Sequence, residues 1–85
     1  MNIQIEPHTL QRAIERGATE NEITDTLSLG VNILGKSGRL GKSKIFHFDA
    51  IRNGKYFEEK KLEVYYVIEN KMIITITVYV FYGKF

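Results

Sequence analysis

The chain has 85 residues, a formal net charge of +2, one proline and no cysteine. That length holds a single domain, residues 1–85, which buries roughly 60% of its unfolded surface and leaves no room for separate catalytic and regulatory units. Without a thiol there are no disulfides and no cysteine-based metal site.

The opening residues Met1-Asn2-Ile3-Gln4-Ile5-Glu6 contain neither a basic segment nor an apolar run, so no secretory signal is expected. A short edge strand is predicted over Asn2–Ile5. The first helix starts at Pro7, where the missing N–H costs nothing, and ends at Gly17, which suits a left-handed stop. Leu10 and Ile14 lie one turn apart with Ala13 beside them, which predicts the buried face. The second helix opens with a capping box, Thr19 and Glu22 each able to bond the other's backbone N–H. It carries Ile23 and Leu27 as its apolar stripe and ends at Gly30. Helices are thus expected over 7–16 and 19–29.

Beyond Gly30 the period changes. Val31–Leu34 is a short strand, Gly35–Gly41 a loop by composition, and Lys44–Ile51 a strand. Asn53-Gly54 signals a hairpin turn, Leu62–Ile68 is the next strand, and Glu69-Asn70-Lys71 its turn. Met72–Tyr82 alternates Ile74, Ile76, Val78 and Val80 with Ile73, Thr75, Thr77, Tyr79 and Phe81. A charge-free strand of that length would aggregate as an exposed edge. It is therefore expected inside the sheet, with neighbours on both sides and one face on the helices. The run is too short and too β-branched for a membrane helix, which needs about 20 residues. No membrane association is expected, and the default location is cytoplasmic. The fold class read from this order is α+β, with two N-terminal helices on one face of a mainly antiparallel sheet.

Charge is unevenly spread. Residues 1–34 carry two arginines against five carboxylates, a net of −3, whereas residues 35–61 carry eight Lys or Arg against three carboxylates, a net of +5. A basic middle segment fits either an anionic partner or a solvated lysine-rich connector. Lys36, Arg39, Lys42 and Lys55 are its candidate RNA-binding residues. Gly41-Lys42-Ser43 is not a P-loop, because Lys36 stands where the first glycine should be and no helix follows. His8, Arg12 and Arg16 are spaced by four on one helix stripe, roughly opposite Leu10 and Ile14. Such a stripe faces water, a protein or a polyanion. At the C-terminus Tyr79, Phe81 and Tyr82 precede Lys84. These aromatics can pack within the sheet, or stack bases beside a phosphate-holding cation. His8 and His47 alone make no persuasive metal site, and no cofactor motif is present.

The His8-x3-Arg12-x3-Arg16-Gly17 helix, the Thr19-x2-Glu22-Ile23 helix and the closing Glu63-Val64-Tyr65-Tyr66 and Thr77-Val78-Tyr79 strands resemble a family of small bacterial domains related to the RelE/ParE toxins and to BrnT. The likeness spans nearly the whole chain. It implies a RelE-like fold and an endoribonuclease toxin acting on mRNA, free or on the ribosome, and restrained by a cognate antitoxin protein. It also implies that His8, Arg12, Arg16, Tyr82 and Lys84 serve as catalytic residues, moving protons and clamping the phosphate without a fixed triad. Two other expectations stand beside it: a non-catalytic domain that binds a protein partner, and an RNA-binding module without chemistry.

Overall fold

A computed structural model describes all 85 residues, Met1–Phe85. The elements are β1 (Asn2–Gln4), α1 (Pro7–Glu15), α2 (Glu20–Leu29), β2 (Val31–Leu34), a 3₁₀ turn at Lys36–Gly38, β3 (Leu40–Arg52), β4 (Lys55–Glu69) and β5 (Met72–Gly83). The strands form one sheet in the order β1-β5-β4-β3-β2. β1 runs parallel to β5, and every other pairing is antiparallel. Ala13, Ala18, Ile23 and Leu27 pack on Leu62, Val64, Tyr66 and Val78 to form the core. Both helices lie on one face, and the fold is α+β.

Local chemistry explains the boundaries. Thr19 Oγ1 accepts from the Glu22 N–H at 3.1 Å, and Glu22 Oε1 accepts from the Thr19 N–H at 2.9 Å, so both halves of the capping box form. Asn53 and Gly54 take φ of 52° and 78°, the paired left-handed residues of a tight hairpin. Asn70 and Lys71 do the same at 51° and 62°. The strands of the β3–β4 hairpin outrun the sequence expectation, since Lys55–Lys61 pairs along β3 as fully as Leu62–Ile68 does. Hydrogen bonding along a partner strand overrides the weak strand preference of the charged residues there.

Two expectations change. The first concerns α1, which buries Thr9 and Ala13 and leaves Ile14 60% exposed. Polar tethers set this rotation: Thr9 Oγ1 donates to the Ile76 carbonyl at 3.2 Å, and Arg16 Nη1 donates to the Val78 carbonyl at 2.6 Å. The second concerns β5. β4 flanks its whole length, but β1 pairs only with Met72–Ile74. The next stretch of that edge, as far as Val78, is covered by α1 through the same two tethers, which occupy carbonyls that a stray strand would otherwise use. A bulge then breaks the alternation. Tyr65 pairs with Thr77 and Tyr66 with Thr75, leaving Ile76 unopposed. Ile73 and Thr75 therefore share the helix-covered face with Val78, Val80 and Tyr82.

The C-terminal end of α1 is closed by three strands. The carbonyls of Glu15, Arg16 and Gly17 accept from Arg52 Nη2 at 3.1 Å, Tyr82 O–H at 2.6 Å and Lys60 Nζ at 2.9 Å. These are groups a helix end leaves without partners, and two of the three donors are cations at the negative end of its dipole. Lys60, buried, also pairs with Glu22 at 2.9 Å and so ties this end to the start of α2.

Candidate nucleic-acid interface

Opposite the helices the sheet is open. Residues paired across antiparallel strands share a face, so the register writes this surface out in rows. Ile33, Gly41, Tyr65 and Thr77 form one, and Val31, Ser43, Glu63 and Tyr79 the next. Ile45, Lys61 and Phe81 follow, then His47 and Glu59. At one end the loop Gly35–Leu40 rises over Tyr65 and Tyr79 to enclose a groove of about 1110 Å³.

Glu63 stands at the middle of this face. Its Oε1 accepts from the Tyr65 O–H at 3.0 Å, and its Oε2 lies 3.6 Å from Lys61 Nζ. Burial, then the hydrogen bond to Glu63, then the charge of that carboxylate raise the Tyr65 phenol above its ordinary value, so it stays protonated near neutrality. The Tyr65 ring lies in a slot between two glycines. A methyl group at Gly35 would stand 2.7 Å from it, and one at Gly41 2.8 Å. Tyr79 meets Tyr65 edge-on with centroids 6.0 Å apart. Tyr79 and Phe81 are 46% and 42% exposed. The Arg16 guanidinium lies 5.7 Å from the Tyr79 centroid, and Lys61 Nζ 5.2 Å from that of Phe81.

The residues singled out from the sequence divide between this face and other places. Arg16 reaches the face from α1. His8 and Arg12 are exposed on the same helix, which Thr9 and Arg16 pin along the β5 edge. Lys36 and Arg39 line the groove. Lys42 is paired with Val64 and belongs to the helix-covered side. Lys55 sits at the β3–β4 turn, its ammonium 5.5 Å from the Phe57 ring, at the far end of the strand from Tyr65. Tyr82 is also on the helix side, since strand parity separates it from Tyr79 and Phe81. Its ring packs on Phe48 and Phe57 at 5.1 and 5.7 Å, with Arg52 above it at 5.0 Å. Lys84 is exposed and 3.7 Å from Glu58. The five expected catalytic residues therefore do not converge on one point.

Sequence reasoning missed Lys61 and Glu63 as site residues. The signal was the i, i+2, i+4 spacing of Lys61, Glu63 and Tyr65 on one strand face, which gains meaning only once that face is known to be uncovered. No set of three or more His, Asp or Glu side chains is placed to hold a metal ion. No helix is long and apolar enough to cross a membrane.

Fold and surface together define a class: an α+β domain that presents an aromatic, cation-edged sheet face. No protein-family model, no curated protein and no solved structure matches the chain.

Proposed function

We propose that the chain is the toxin of a bacterial toxin–antitoxin pair, a RelE-like endoribonuclease whose working surface is the open face of the sheet. The observation that carries this reading is the Glu63 cluster: a carboxylate bonded to a phenol and close to an ammonium, between exposed rings and within a strand of Arg16.

RNA brings its own nucleophile, so the protein needs a proton acceptor and a charge clamp. Glu63 takes the proton of a 2′-OH, and the 2′ oxygen attacks the adjacent phosphorus. The P–O5′ bond breaks, and the departing 5′ oxygen takes a proton from solvent. The products carry a 2′,3′-cyclic phosphate and a 5′-hydroxyl. Arg16 and Lys61 offset the charge that gathers on the phosphoryl oxygens, Arg16 with a fork able to donate twice. Arg12 extends the line of cations along α1 for flanking phosphates, with the His8 ring one turn beyond it. A cognate antitoxin would restrain the toxin by covering the same face.

Induced expression with total RNA followed over time tests the reading: growth arrest with RNA fragmentation is expected. Purified Glu63→Gln should cleave about 10²–10⁴-fold more slowly, while Lys84→Ala cleaves at the wild-type rate. A wild-type protein that cleaves no RNA, with or without ribosomes, ends the enzyme reading. A second reading, a protein-binding domain without chemistry, is favoured by Leu29, Val31 and Leu34, which are 71%, 68% and 77% exposed around the α2–β2 junction. Loss of partner capture in a Leu29→Ser, Leu34→Ser double variant that melts as wild type does would assign that patch to the partner.

A further inference from the structure

We infer that Tyr79 and Phe81 are stacking platforms for two successive bases of a single-stranded RNA, each ring served by its own cation. The inference rests on the RNA reading above and adds to it the mode of binding, the strandedness and the register.

The two rings are the exposed aromatics of the β5 segment that crosses the open face. Two residues apart on one strand, they are about 6.7 Å apart along it and point to the same side. The Arg16 guanidinium lies 5.7 Å from the centre of the first ring, and Lys61 Nζ lies 5.2 Å from that of the second and 4.9 Å from that of Phe85, which shares it. This alternation of π-face and cation is what an unpaired strand offers in reverse, base and phosphate by turns. Bases within a duplex are already stacked on one another and cannot lie on these rings. Tyr65 meets Tyr79 edge-on and is held in its glycine slot, so it forms a fixed wall rather than a third platform. Lys36 and Arg39 on the groove loop continue the cationic track beyond Tyr65. The carboxylates facing the platforms are Glu63, already engaged by Lys61 and Tyr65, and Glu59, whose Oε1 accepts from the Phe85 N–H at 2.6 Å. A purely apolar protein surface would strip water from Arg16 and Lys61 without supplying counter-charge. A polyanion with flat bases supplies both.

The test is binding of a fluorescein-labelled oligouridylate to the full chain, by anisotropy, beside the same RNA annealed to its complement. Tyr79→Ala and Phe81→Ala should each weaken binding by about 5- to 100-fold, the usual worth of one stacked base. Tyr79→Phe keeps the ring and should stay within about twofold of wild type, which separates stacking from a hydroxyl contact. The duplex should bind more weakly than the single strand and be insensitive to all three changes. Thermal unfolding of each variant checks that the exposed positions leave the fold intact. If the alanine variants bind the single strand as wild type does, the platforms are overturned while the RNA reading stands. If wild type binds neither RNA form, both are overturned.

Discussion

Gly17 shows how much one residue can hold. It sits at φ +90°, and a methyl group there would collide with the Tyr82 hydroxyl and stand 2.7 Å from Arg52 Nη1. Gly17→Ala should cost about 2 kcal/mol or more from backbone strain alone, read as a lower midpoint in urea. Lys60 and Glu22 form the other critical pair. Lys60→Met leaves the carboxylate facing a dry site and should cost about 3 kcal/mol, whereas Lys60→Met with Glu22→Gln should recover much of that loss. Tyr82 predicts a pH effect. Burial raises its phenol above the ordinary value, with Arg52 opposing and Glu22 adding to the shift; Tyr65 is raised as well. A phenol with a higher value in the folded state contributes stability that is complete below its unfolded value, about 10. That stability is lost as pH rises through the folded value. Alkaline unfolding should therefore set in above about pH 10, and Tyr82→Phe should reduce this dependence while losing about 1 kcal/mol for the bond to the Arg16 carbonyl. Thermal melts across alkaline pH measure both.

Among the elements, β5 shows how the edge of a charge-free strand is shielded. Beyond β1, helix α1 covers its edge as far as Val78, by way of Thr9 and Arg16. Arg16→Ala uncovers the Val78 carbonyl and should raise the tendency to self-associate, detectable by light scattering as a function of concentration. The Ile76 bulge has a different task. It lets Ile73 meet Ile3 on the helix side while Tyr79 and Phe81 stay on the open side. Deleting Ile76, the one unopposed residue, would bring Thr75 next to Thr77 in regular alternation, so β5 should keep its faces and the variant should still melt cooperatively. The helices, most strands and both β-turns were legible in the sequence because caps, glycines and hairpin residues act over a few positions. The rotation of α1 was not, since it is decided by hydrogen bonds between residues more than sixty positions apart, and neither was the bulge, since nothing local in the run Met72–Tyr82 marks which residue goes unopposed.

Over the whole molecule, charge separates what the basic segment does from what its composition suggests. If the groove holds RNA, Lys36→Ala and Arg39→Ala should each flatten the log–log salt dependence of binding by about one unit for each phosphate no longer held. Lys42→Ala and Lys55→Ala, away from the open face, should leave it unchanged. Four cations that look equivalent along the chain thus divide into two pairs. Local propensity, periodicity and charge dictate the α+β class, the order of elements, the capped helices and the cationic character of the middle segment, so the chain alone was enough to read them. Which face of the sheet stays uncovered, that Glu63, Lys61, Tyr65 and Arg16 meet there, and that Tyr82 and Lys84 do not, emerged only from the folded molecule. The physical reason is that strand register and the bulges in β3 and β5 assign each side chain to a face, and these are fixed only by which residues of the partner strand come to lie opposite.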